Sequence, residues 1–435
     1  MNSSIEACKA RRARLAETIG NGVAIVPTAP ERARNRDSQF PYRFDSYFYY
    51  LTGFTEPEAV FVLVGGSSPR SMLFCRSKDA EREIWDGFRY GPEAARTAFA
   101  MDEAFSIAQL DEQIPKLLAD RARVFFNLGA DSAWDARLTA WLNAVRAQAR
   151  TGVRAPSEVV DLRSPLDEMR LVKDLYELDT MRKAAAISAR AHRRAMRFAK
   201  PGVHEYEIEA ELLHEFTRHG AQAPAYTSIV AGGANACVLH YVSNRGVLAP
   251  NELLLIDAGC ELDGYASDIT RTIPVDGRFE GPRKALYEVV LAAQLRAIDA
   301  VRPGNRFSDA HDAAVRVLVQ GMLDLGLLHG EADGAIESGA YKRFYMHRTG
   351  HWLGLDVHDA GDYGAEGKWK PLVPGMVTTV EPGLYVRPAD DVPERFWNIG
   401  IRIEDDVLVT ADGNEVLTSA APKAVQDIEA LMQAT

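Results

Sequence analysis

Leu254-Leu255-Ile256-Asp257-Ala258-Gly259 and Ser267-Asp268-Ile269-Thr270-Arg271-Thr272, joined through Asp263-Gly264, decide how this chain is read. Each run sets a carboxylate among apolar and β-branched residues with the character of a strand, where an unpartnered acid is costly. Asp-Gly is a strong hairpin signal. The two runs are therefore expected to form the arms of one hairpin, in a register that turns Asp257 and Asp268 to the same face. The pattern returns downstream in Val380-Glu381-Pro382-Gly383 and Ile401-Arg402-Ile403-Glu404-Asp405-Asp406. Before this second pair, Met346–Asp359 holds three of the ten histidines, His347, His351 and His358. Trp352, Leu353, Leu355 and Val357 in that stretch supply an apolar face that can hold imidazoles still.

Working outward, the second part of the chain repeats itself. Lys200-Pro201-Gly202 and Arg302-Pro303-Gly304 each end one helix and precede another, over 204–219 and 308–326. The first of these leads through Ala225–Val230 and His240 to the Asp257 and Asp268 strands. The second leads through the histidine stretch to the Glu381 and Glu404 strands. A duplication of about one hundred residues follows, and two halves packed face to face would bring their acidic strands to one cleft. Four carboxylates gathered there would repel one another unless cations balanced them. With His351 they make a five-ligand set, Asp257, Asp268, His351, Glu381 and Glu404, suited to two divalent ions. Oxygen-rich donors with one imidazole favour Mn2+, with Co2+, Zn2+ or Fe2+ as alternatives. Water held by such a pair loses a proton near neutral pH and becomes a nucleophile.

A length of 435 residues implies two domains, and 47% hydrophobic with 26% charged residues is the composition of a soluble globular protein. The net charge of −11 argues against a nucleic-acid surface. The basic positions Arg190, Arg193, Arg194 and Arg197 of a helix over about 174–199 read as a solvated face. No apolar run is long enough to span a membrane, and residues 1–9 lack the apolar core of a signal peptide. Cys8, Cys75, Cys237 and Cys260 have the spacing of free thiols in a reducing cytoplasm. Residues 1–165 alternate strands (22–27, 59–64, 71–75, 124–127) with helices (5–19, 93–100, 109–119, 133–149), an α/β pattern. The aromatic segment 40–51 reads as a core wall or subunit contact. Turn-rich sequence from Ala155 to Pro165 places the boundary near 165, giving domains 1–165 and 166–435. His214-Glu215-Phe216-Thr217-Arg218-His219 has one residue too many for a zinc helix, since five positions turn the second imidazole away from the first.

The order Asp257, Asp268, His351, Glu381, Glu404 resembles the ligand set of the dinuclear pita-bread metallopeptidases, which include methionine aminopeptidase, prolidase and aminopeptidase P. Leu239-His240-Tyr241, Ile256–Cys260, His347 to His358-Asp359 and Gly400–Asp406 are most similar to the bacterial aminopeptidase P members. The resemblance implies an α/β (α+β) chain, with a creatinase-type domain over 1–165 and a pita-bread catalytic domain over 166–435 with an internal pseudo-twofold repeat. It implies hydrolysis of the N-terminal Xaa-Pro bond of peptides with proline second, in a cytoplasmic homodimer or homotetramer. It further implies that Asp257 binds one metal and His351 the other, with Asp268 and Glu404 shared and Glu381 also the general base. His240 and His358 would position substrate, His347 would line the proline pocket, and Arg402 would orient carboxylates. Tyr226 and Tyr385 are expected near the metals, with Tyr363, Arg150 and Trp85 as further peptide contacts. Gly364–Lys370 departs from the family's basic pattern, which bears on preference beyond the second substrate residue. Two rival readings are a dipeptide-only prolidase and a catalytically silent peptide-binding module; the complete ligand set argues against the second.

Overall fold

Residues 4–434 are described by the computed structural model of the chain, in two units that divide between Met169 and Arg170. The division falls inside helix Arg163–Leu171, which begins in the turn-rich sequence that ends at Pro165. Pro165 lies in the first turn of that helix, where a missing N–H breaks no helical bond.

The first unit is built on one mixed sheet. Its strands are β1 (Val23–Pro27), β2 (Val60–Val64), β3 (Arg70–Cys75), β4 (Glu103–Ser106), β5 (Arg123–Phe126) and β6 (Glu158–Asp161), in the order β4-β3-β2-β1-β5-β6. β1, β2 and β3 pair antiparallel, whereas β4, β5 and β6 add parallel. Val23, Ile25, Val60, Val62, Met72 and Phe74 alternate onto one face and pack on Ile114 and Leu118 from helix Leu110–Leu118 and on Trp141 from helix Ser132–Arg146. The aromatic segment contributes helix Ser46–Thr52, whose Phe48, Tyr49, Tyr50 and Leu51 are buried in this unit.

The second unit carries the repeat. After β7 (Ala223–Pro224) and β8 (Ile229–Gly232), the first half supplies β9 (Leu253–Asp257), β10 (Cys260–Leu262), β11 (Tyr265–Ala266) and β12 (Thr270–Pro274). The hairpin β13 (Gly364–Ala365) and β14 (Lys368–Trp369) precedes the second half. That half supplies β15 (Val377–Val380), β16 (Gly383–Val386), β17 (Ile399–Arg402), β18 (Asp405–Val409) and the edge strand β19 (Asn414–Val416). In each half the outer strands pair with each other, β9 with β12 and β15 with β18. The inner strands also pair, β10 with β11 and β16 with β17. Two helices precede each half, Leu175–Phe198 with Glu205–Arg218 and Gly281–Ala300 with Phe307–Asp324. The first starts at a capping box, Asp174 with Glu177.

One expectation needs correcting. Asp263 and Gly264 do form the turn, both at positive φ, but the arms are not continuous. The pairing changes sheet at Ala258–Gly259 and again at Ser267–Ile269. At this crossing a Cβ on Gly259 would stand 1.7 Å from the Ser267 carbonyl oxygen, so only glycine lets the segments approach. Asp257 is the last residue of β9, while Asp268, Glu381 and Glu404 lie in the breaks between strands. A break frees the side chain from the alternation of the sheet, and three of the four carboxylates sit in such breaks while Asp257 sits at the edge of one.

Behind the first break, His192 of helix Leu175–Phe198 is fully buried and holds the Ala258 carbonyl at 2.9 Å through Nε2. Burial lowers its pKa to about 4. The folded value lies below the unfolded 6.5, so its contribution to stability is complete above 6.5 and is lost as pH falls towards 4. The shift corresponds to about 3 kcal/mol. In the metal-free protein, His192→Gln keeps the donor and should remove about 2–3 kcal/mol of the stability lost between pH 7 and pH 4.5. Urea unfolding of both proteins at the two pH values measures this, and an unchanged difference refutes it.

Candidate metal centre and its cleft

The two halves meet at an open cavity of about 760 Å³. It is lined by Tyr226, His240, Asp257, Asp268, His347, His351, His358, Tyr363, Glu381, Arg402 and Glu404, with Ile229, Leu239, Val242, Phe307, Val357 and Trp369 as apolar walls. Every lining residue belongs to the second unit. Tyr385 stands just behind this wall, joined to His347 and Arg402. Trp85 and Arg150 belong to the first unit and are not brought into this group. Trp85 is 83% exposed on helix Ala80–Asp86, so its indole is not packed as a structural residue would be, and Arg150 is exposed in the short turn Ala149–Thr151.

The histidine stretch is held by its backbone and apolar side chains. Trp352, Leu353 and Leu355 are buried, and Trp352 stacks on Tyr363 with ring centroids 5.5 Å apart. His351 Nδ1 lies 2.9 Å from the Trp352 carbonyl, which can only accept, so Nδ1 carries the proton. Nε2 then turns towards Asp268 Oδ2 at 3.5 Å and Glu381 Oε1 at 3.6 Å. His347 follows the same logic. Its Nδ1 donates to the Arg348 carbonyl at 2.8 Å, and its Nε2 accepts from Tyr385 OH at 2.8 Å. The Tyr385 oxygen accepts in turn from Arg402 Nη1 at 3.0 Å. Arg402 also donates to Asp257 Oδ2 at 2.5 Å and to Thr270 Oγ1 at 3.1 Å. Thr270 passes its own proton to Glu404 Oε2 at 2.6 Å.

These contacts imply a cation between the carboxylates. Tyr226 has one hydroxyl proton, yet its oxygen reaches Asp257 Oδ1 at 2.6 Å and Asp268 as closely. Ligand atoms of Asp268, His351 and Glu404 all lie within 4.8 Å of one another. Without a metal, protons must take its place. Burial pushes Glu381 up to about 7, lifts Glu404 far above the carboxylate range and also raises Asp257. Burial acts against charge on Asp268 and on His351 too, but the contact between them prevails: Asp268 falls and His351 rises to about 9. The oxygen donors of Asp268 and Glu404 grouped with the His351 imidazole, and the Asp257 and Glu381 carboxylates in the same cleft, fit hard or borderline divalent ions. Burial keeps His347 neutral, with a pKa of about 3, and lowers that of His358.

Around these side chains lie others that no local sequence signal singles out. Asp359, beside His358, is buried between Lys173 Nζ at 2.9 Å and Arg170 Nη2 at 2.5 Å. A Cβ on Gly354 would stand 2.2 Å from its Oδ2, so a glycine is required there. Arg271 donates to Asp405 at 2.7 Å and to the Glu404 carbonyl at 2.5 Å, bracing the last ligand from behind. His219 is paired to Glu215 at 2.8 Å while His214 is exposed, and the Cys260 thiol is buried and raised to about 11. Arg194 of the basic helix face is paired with Glu211.

Residues 179–411 match metallopeptidase family M24, and residues 8–125 match the aminopeptidase P N-terminal domain. The chain is 44% identical to the Xaa-Pro aminopeptidase of Haemophilus influenzae over 97% of its own length and 96% of that protein. The structure of Pseudomonas aeruginosa aminopeptidase PepP superposes with a TM-score of 0.97 at 50% identity, covering 100% of this chain and 98% of that one. An Escherichia coli aminopeptidase P variant in complex with substrate does so at 0.97 and 42%, covering 100% and 99%. With two repeated halves that place five ligand-type side chains in one cleft, and with these likenesses along its whole length, the chain belongs to metallopeptidase family M24, among its aminopeptidases P.

Proposed function

We propose that the cleft releases the first residue of peptides with proline second, with Glu381 as the proton carrier and His240, His347 and His358 as substrate-facing groups. The observation that carries this reading is the convergence of five ligand-type side chains and three further histidines from the two repeated halves. Asp257 would hold one metal, His351 and Glu381 the other, and Asp268 and Glu404 both. Mn2+ suits so oxygen-rich a donor set. Such a pair, when bound, acidifies water and supplies the nucleophile.

The remaining steps belong to the chain's own residues. The Glu381 carboxyl, which lines the cleft, can take a proton from the attacking water and return it to the proline nitrogen. Like any amide nitrogen, it must gain a proton to leave as an amine. His358 and His240 line the cleft where a scissile carbonyl would be oriented. Neutral His347, backed by the Tyr385 hydroxyl, would be the wall for the proline ring. Arg402 keeps Asp257 aimed inward. Two or four copies in the cytoplasm accord with the family likeness, and four buried free thiols suit a reducing compartment.

Gly-Pro-Ala should lose its glycine in the presence of Mn2+, stop doing so after chelation and recover when the ion returns. Gly-Pro offered alone tests the narrower dipeptidase activity. Turnover of the dipeptide but not the tripeptide would overturn this reading.

A further inference from the structure

Leu239–Gly246 has no helix or strand of its own, yet it carries His240 into the cleft. What fixes it comes from outside the site. Glu205, the first residue of helix Glu205–Arg218, is only 1% exposed. Its Oε1 accepts from the Gly232 N–H at 2.8 Å and from Asn235 Nδ2 at 2.8 Å. Its Oε2 accepts from the Tyr241 hydroxyl at 2.8 Å and from the Gly246 N–H at 2.6 Å. The Glu205 N–H donates back to the Gly246 carbonyl at 2.9 Å. All four partners of the carboxylate are neutral donors, so its acceptor capacity is filled with no ion pair. A Cβ on Gly246 would stand 2.8 Å from Oε1, leaving glycine as the residue that fits against the carboxylate. Three of the four donors flank His240, and one belongs to the residue directly after it. Asn244 adds a second tie, accepting from the Val230 N–H at 3.0 Å and donating to the Ser228 carbonyl at 2.9 Å.

We infer that Glu205 is a positioning residue for His240: a buried carboxylate that fixes an otherwise irregular loop so that the imidazole faces the substrate. This rests on the reading of His240 as a substrate-facing group. Glutamine at 205 is the informative change, because its shape is the same while its amide is a donor. A Tyr241 hydroxyl can rotate to meet an amide, but the Gly246 N–H cannot, so one end of the loop is released.

The test is a double-mutant cycle on Gly-Pro-Ala hydrolysis in the Mn2+-loaded enzyme, with metal content measured for every variant. Glu205→Gln should lower kcat by about 10–100-fold, the range seen when groups that orient active-site ligands are removed, while metal content stays at the wild-type level. In a His240→Ala background the same change should cost less than about 2-fold, because the group it positions is gone. An equal loss in both backgrounds, or a loss of metal in proportion to activity, overturns the inference. Tyr241→Phe removes one of the four bonds and repeats the cycle in a milder form should Glu205→Gln fail to fold. Full activity in His240→Ala alone would instead refute the role given to His240, and with it this inference.

Discussion

Glu381→Gln should lower kcat on Gly-Pro-Ala by about 10²–10⁴-fold, the usual worth of a positioned proton carrier, and weaken metal binding. The carboxyl is largely buried, 3.6 Å from His351 Nε2 and facing the Asp268 and Asp257 carboxylates across the cleft, where it can take a proton and give it up. Its backbone N–H is fixed to the Thr349 carbonyl at 2.8 Å, and Thr379 Oγ1 steadies Oε1 at 3.3 Å. An amide at 381 keeps the shape and those supports, so the backbone of the break should not move. It cannot carry a proton, however, and it removes one of four negative charges facing the cations. Steady-state kinetics with metal content by mass spectrometry separates the two losses. If metal saturation restores more than a tenth of the wild-type kcat, Glu381 is a ligand only and the proton moves by another route.

The four carboxylates were more readable in the sequence than the strand limits around them, and for a physical reason. A carboxylate inside an apolar run is conspicuous wherever the run ends, so Asp257, Asp268, Glu381 and Glu404 stood out without knowledge of strand limits. The limits themselves were misread. Asp263-Gly264 signals a turn, but nothing local shows that the arms change sheet at Gly259 and Ser267, because that crossing depends on a contact made only in the folded chain. The supports are harder still to see. Glu205 follows a histidine at a helix start, where an acid is ordinary, and its four partners lie 27–41 positions away. Lys173 and Asp359 are separated by 186 positions. Trp369 lies in the segment whose departure from the family pattern was evident, and the structure turns it into a cleft wall under the Arg348 guanidinium, 5.0 Å from the ring.

Asp359→Leu should be the most destabilising single change near the cleft, costing about 3–5 kcal/mol because it takes the counter-ion from buried Lys173 and leaves Arg170 with its contact to Asp356 at 2.7 Å. Lys173 is 0% exposed at its side chain and Arg170 is 1%, and both donate to this one carboxylate. Burial alone would raise the Asp359 pKa; Lys173 and Arg170 outweigh it and hold the group below the ordinary aspartate value. A folded value below the unfolded one means the contribution is complete above the unfolded pKa of about 3.9 and is lost as pH falls through the lower folded value. The loss in Asp359→Leu should therefore be full at pH 7 and shrink in strong acid. Function should suffer as well. The Asp359 N–H donates at 2.9 Å to the Trp352 carbonyl, the same oxygen that accepts from His351 Nδ1. Freeing this corner loosens a metal ligand and the neighbouring His358 together. Urea unfolding at pH 7 gives the stability, with an unchanged slope required for the comparison to hold. Adding Lys173→Met to Asp359→Leu should recover part of the loss, since an apolar pair needs no counter-ion. A loss under about 1 kcal/mol in the single variant would be that of a surface pair, and would mean that water reaches Lys173 and that the corner is held by Trp352 and Leu355 packing alone.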